Sequence, residues 1–146
     1  MAGASFKMDT KIFGEIINSM INQVKHSQPM MDEIGDALVT STKLRFNKET
    51  GPDGVKWKAS KRAESTGGYR SGKTLTDYGT LKNSIGYEAT PTMVAVGSNV
   101  IYAHAHQAGS DVGRGLKVKL PKRPYLGITD DDQEEIAAII VDHITK

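Results

Sequence analysis

"GGYRSGKT", residues 67–74, satisfies the phosphate-cradling pattern G-x-x-x-x-G-K-[ST] letter for letter. Its reading decides the fold. A working P-loop sits in a parallel α/β sheet. A buried strand leads in, a helix starts at the Gly-Lys-Thr end, and an acid on another strand helps hold Mg²⁺. The lead-in here, "WKASKRAEST" (57–66), has no apolar run. It cannot be a central parallel strand, which reads as near-continuous Val, Ile and Leu. After Thr74, "LTDYGTLKNS" offers at most one helical turn before Gly79. A Walker B candidate, "AIIVD" (138–142), follows an acid-rich stretch with isoleucines at i, i+4 spacing, which favours a helix. The segment therefore reads as a flexible basic loop, with no nucleotide cofactor.

The surrounding pattern agrees. Asp9 is placed to cap a first helix to about Lys25, with Ile12, Phe13, Ile16, Ile17, Met20 and Val24 on one stripe. Pro29 suits the first turn of a second helix ending near Asn47, with Met31, Ile34, Leu38, Ser41 and Leu44 or Arg45 in period. Pro52-Asp53-Gly54 is a turn. Residues 59–73 and 109–119 read as mobile loops. "TDYGTLKNSI" looks like a short helical turn, and Ile85–Thr90 with Thr92–Gly97 like an antiparallel hairpin. "NVIYAHAHQAG" fits either a strand or a short helix, and the prolines make "LPKRPYLGIT" extended. The end is a helix, with Thr129 and Asp132 forming a loose capping box. The order helix, helix, loop, hairpin, helix is not βαβ. It reads as one α+β domain over residues 1–146: a small antiparallel sheet against two N-terminal helices and one C-terminal helix, with long basic loops.

Composition is that of an ordinary globular chain, 38% hydrophobic and 25% charged, long enough to bury a core without staples. There are no cysteines, so disulfides, zinc–thiolate sites and cysteine nucleophiles are excluded. No signal-peptide h-region or membrane-spanning apolar run is visible. The net charge of +2 is uneven: Lys43–Lys73 carries nine Lys/Arg against three Asp/Glu, Arg114–Arg123 five positive charges and no acid, and Thr129–Lys146 six acids against one lysine. Such asymmetry fits a polyanionic partner or head-to-tail contact between copies.

Catalytic signals are thin. No G-x-S-x-G elbow appears. His104 and His106 would share a strand face, but no third metal ligand is in view. Asp130, Asp131 and Asp132 are explained by a helix N-terminus. No enzyme activity and no metal are expected. The basic residues Lys61, Arg62, Arg70 and Lys73, with Lys56, Lys58 and the aromatics Trp57 and Tyr69 interleaved, could track a phosphate backbone, so a nucleic-acid-binding module is the alternative reading. Arg114, Lys117 and Lys119 form a second basic stretch.

Four stretches in order resemble one family: "GPDGVKWKA", "LTDYGTLKNSI", "VAVGSNVIYAHAHQAG" and "LPKRPYLG". The resemblance is to the phage virion-morphogenesis, or tail-completion, proteins, which include the G protein of phage Mu and the S protein of phage P2. Matching positions are Trp57, Leu75, Gly79, Leu81, Ser84, Ile85, Gly97, Tyr102, Ala103, His106, Gln107, Gly109, Pro121, Arg123, Pro124, Tyr125, Leu126 and Gly127. The resemblance implies a structural virion protein at the head–tail neck or tail end, made in the host cytoplasm. It implies assembly as a homo-oligomeric ring, often six-fold, that meets tail and connector proteins and passes genome DNA. No catalytic residue and no membrane come with it. Interface candidates are then Trp57, Tyr102, His106, Gln107, Arg123, Pro124, Tyr125 and Leu126.

Overall fold

The computed structural model describes residues 10–65 and 72–145. Asp9 and Arg70 lie outside them. Two long helices come first, α1 (Thr10–Lys25) and α2 (Gln28–Lys48), then the single turns α3 (Lys61–Glu64) and α4 (Thr80–Asn83). Strands β1 (Gly86–Thr90) and β2 (Met93–Gly97) form an antiparallel hairpin, with Tyr87 opposite Val96 and Ala89 opposite Val94. Helix α5 (Ala103–Ala108) leads to a second hairpin, β3 (Ser110–Val112) and β4 (Val118–Leu120), and α6 (Asp130–Thr145) closes the chain. The class is α+β.

Helix α2 is the hub, packing on β1, β2 and α6. The β1–β2 sheet alternates, so Tyr87, Ala89, Val94 and Val96 are half-buried while Glu88 and Ala95 face out. That alternation is the mark of a sheet covered on one face. Tyr87 lies directly over Gly35 of α2. A Cβ there would stand 2.3 Å from the ring, so only glycine allows this approach. At the start of α2, Ser27 Oγ donates to the Pro91 carbonyl (2.5 Å) and Gln28 Nε2 to the Ala89 carbonyl (3.0 Å), tying the helix to the hairpin tip. At its end, Glu49 takes a left-handed conformation and its N–H returns to the Arg45 carbonyl.

The core gathers Phe46, Trp57, Leu81, Ile85, Ala103 and Tyr125. Phe46 is fully buried, its ring centroid 5.4 Å from Trp57 edge-on and 5.5 Å from Tyr125. Burying one such ring stabilises by about 2–3 kcal/mol. The expected stripe of this helix faces inward at Ile34 and Arg45, and the buried face widens by one residue to take in Gly35, Thr42 and Phe46. The expected Leu44 is 48% exposed, while the alternative Arg45 is buried.

Three expectations are corrected. Residues 59–73 are not wholly a loop: Ser60 Oγ accepts the Ala63 N–H and starts α3, a local cap that short loops of this composition hide. Residues 109–119 form most of the β3–β4 hairpin, because Gly113 and Gly115 supply positive φ at the turn and Val112 pairs with Val118. The strands are therefore split between two separate two-stranded sheets.

Candidate functional site

The segment Leu120–Gly127 runs as an extended strap across the core, held almost entirely by side chains. Gln107 of α5 makes three bonds to it. Its Oε1 accepts the N–H of Tyr125 (2.9 Å) and Leu126 (3.0 Å), and its Nε2 donates to the Leu126 carbonyl (3.1 Å). The Arg123 N–H donates to the His106 carbonyl at 2.8 Å. Trp57 Nε1 donates to the Pro124 carbonyl at 2.8 Å, and the Tyr125 hydroxyl to the Ala103 carbonyl at 3.0 Å. Arg123 is buried and its Nε donates to the Lys58 carbonyl at 2.6 Å, pulling the strap onto the chain after Trp57. Gly127 (φ +155°) lies so close to Pro52 that a Cβ would meet its Cγ at 2.5 Å.

Below the strap lies a buried ion pair. Arg45 Nη2 stands 2.6 Å from Asp132 Oδ2, and its Nη1 donates to the Tyr125 carbonyl at 2.8 Å. Asp132 also completes the expected capping box: its Oδ2 accepts the Thr129 N–H (2.9 Å), and its own N–H donates to Thr129 Oγ1 (3.0 Å). Burial would push the Asp132 carboxyl up. Hydrogen bonds from Ser41 and Thr129, with the charge of Arg45, outweigh it and hold the group below its ordinary value. Burial lowers Arg45 against the opposing pull of Asp132, yet a guanidinium stays charged throughout the physiological range. Nothing in the sequence pairs positions so far apart.

The expected contact residues therefore separate. Trp57, Arg123 and Tyr125 are buried within the chain, Gln107 is committed to the strap, and Pro124 and Leu126 are half-buried. Tyr102 is 46% exposed, with its ring edge-on to His106. His106 is half-buried; burial first, then the charge of Arg123, pushes its imidazole down, which keeps it neutral. These two line a cleft of about 330 Å³ with Arg62, Asp77, Tyr78 and Arg123. His104 and His106 lie on a helix, so they do not share a strand face; His104 is exposed while His106 turns inward. Among the described residues no group of three or more His, Cys, Asp or Glu is placed to hold a metal ion.

The basic residues form two groups rather than one. Arg62 Nη2 donates to the Lys73 carbonyl at 2.5 Å, and its Nε lies 3.9 Å from Asp77. Lys61 is exposed on α3. Lys73 Nζ donates to the Asn47 carbonyl, at the negative end of α2. Thr74 is buried, and its N–H donates to the Glu49 carboxylate at 2.7 Å. In a P-loop that amide would face a phosphate; here a carboxylate of the same chain occupies it. No helix starts at Gly72-Lys73-Thr74, and the described residues leading in, 57–65, hold the turn α3 and no strand. Arg114, Lys117 and Lys119 are all exposed on the β3–β4 hairpin.

Comparison with known proteins supplies the context for this frame. A protein-family model described as the phage virion morphogenesis family matches residues 8–145. "Mu-like prophage FluMu G protein 2" of Haemophilus influenzae is 33% identical over 118 residues, covering 81% of this chain and 78% of that one. "Putative capsid assembly protein G" of Escherichia phage Mu is 29% identical over 132 residues, covering 77% of this chain and 85% of that one. No solved structure matches. The positions that carry the resemblance in the sequence include every member of the core cluster except Phe46, together with the Gln107 and Arg123 anchors of the strap. The chain belongs to the phage virion morphogenesis family.

Proposed function

We propose that this protein acts without catalysis, as a structural component that completes the tail or neck and supports head–tail joining by assembling into a ring. The observation that carries the reading is where the motif residues lie. They build one frame around Phe46, Trp57 and Tyr125, held by side-chain hydrogen bonds to the chain's own backbone. The uncovered parts suit contact with other chains. Helix α1 touches the rest chiefly at α6 and leaves Ile12, Ile16, Ile17, Met20 and Ile21 exposed, and the β3–β4 hairpin is basic and open to solvent. No described helix is long and apolar enough to cross a membrane. The phage Mu relative is named a putative capsid assembly protein, which fits a place on the head side of such a joint.

Imaging of particles made without this protein tests the reading. Separate filled heads and finished-looking tails are expected, and adding the purified protein should join them. Empty or misshapen heads would instead place its action earlier, in building the capsid.

A further inference from the structure

Two surfaces of this molecule are opposite in charge but do not meet within one copy. The first is the β3–β4 hairpin. It packs mainly on itself and its turn, and a two-stranded hairpin alone is marginal in water. Arg114, Lys117 and Lys119 are exposed on it, together with Leu116 (67%) and Val118 (57%). Leu116 holds φ +53°, a conformation that costs a side-chain-bearing residue free energy, and its side chain is largely exposed. The second surface is a groove of about 870 Å³ between α2, the Pro52–Gly54 turn and the first turn of α6. Asp53, Asp130, Asp131 and Glu135 are exposed along it against the single cation Lys48, and Leu44 supplies an exposed apolar floor. Arg45 and Asp132 beneath it are already paired.

We propose that the basic hairpin of one copy seats in the acidic groove of the next. The contact joins two different patches, so it is heterologous and propagates head to tail, closing into a ring when the rotation allows. Leu116 and Val118 would cover Leu44 while the cations face the rim acids, the arrangement of an apolar centre in a charged rim. Opposite charge sets orientation and register, which a ring of identical subunits requires. The inference rests on the ring reading above and names the surfaces that build it.

Sedimentation of the full chain over a range of concentrations tests it, using K117E/K119E for the hairpin and D131K/E135K for the groove. All four positions are exposed, and thermal melting of each variant reports its folding. Each variant alone should self-associate about a hundredfold more weakly than the unmodified chain, because like charges then face one another. Mixing the two variants should restore assembly, since the native hairpin fits the native groove and the reversed hairpin the reversed groove. A variant that had only misfolded would not be rescued, and absence of rescue would overturn the contact. If the unmodified chain assembles and both variants assemble equally well, the contact is wrong while the ring stands. If the unmodified chain stays monomeric at every concentration, even with tail components present, the ring reading falls and takes the contact with it. If K117E/K119E loses binding to duplex DNA yet assembles normally, the hairpin's partner is nucleic acid and the proposal is overturned.

Discussion

Gln107 replaces a strand. A single side-chain amide does for Tyr125 and Leu126 what a neighbouring backbone would do in a sheet, accepting two successive N–H groups and donating to a carbonyl. Gln107→Ala would leave these strap amides without their acceptor, and it should destabilise the fold by about 2–3 kcal/mol, read from denaturant midpoints at unchanged m. The Arg45–Asp132 pair carries a second prediction. Removing one partner strands a buried charge, so Asp132→Asn should cost about 3 kcal/mol at neutral pH. The sign with pH is set by the lowered folded pKa of Asp132. Below its ordinary value of 3.8 the unfolded chain takes up the proton first, so the stabilisation is complete above that pH and is lost as pH falls beneath it. Denaturant curves of the unmodified chain and Asp132→Asn should therefore converge in strong acid. Curves that stay parallel would show that the carboxylate contributes nothing as a charge.

Among the elements, α2 organises the molecule because its narrow face admits the sheet. Gly35 brings Tyr87 against the helix backbone, closer than any side chain would permit. Gly35→Ala should cost about 2 kcal/mol by overpacking, although alanine is the better helix former by about 1 kcal/mol. Combining it with Tyr87→Leu should cost less than the sum of the two single changes, because the methyl then has room. An additive double variant would mean that the helix and sheet do not press together at this point. Helix α1 stands at the other extreme. It has an apolar stripe and few neighbours, so its order depends on what is packed against it.

At the scale of the whole molecule, most of the charge lies outside the core, and the buried Arg45 and Asp132 are paired with each other. The core and strap bind the chain to itself, while the hairpin cations and the groove acids lie on different elements of the surface. If copies meet through them, assembly should weaken steadily as salt rises towards about 1 M, where the screening length falls to about 3 Å. Assembly insensitive to salt would point instead to the apolar stripe of α1 as the dominant contact.

Much of this could be read along the chain. Helical periodicity placed α1, α2 and α6, the Pro-Asp-Gly turn and the β1–β2 hairpin followed from local chemistry, and the Thr129–Asp132 cap was visible at its i, i+3 spacing. These are short-range effects, set by neighbours a few residues apart. The lack of a strand over the described residues 57–65 and of a helix at Gly72-Lys73-Thr74 was legible for the same reason: the local patterns a P-loop needs are not there. What tertiary structure alone decided involves partners far apart in sequence. It put Phe46 rather than Leu44 inside, paired Arg45 with Asp132, and turned the motif residues Trp57, Arg123 and Tyr125 inward, away from the surface expected of them. It also gave Lys73 and Thr74 their partners, Asn47 and Glu49, at the end of α2. Residue type limits what a side chain can bond, but only the folded chain brings the partner within reach.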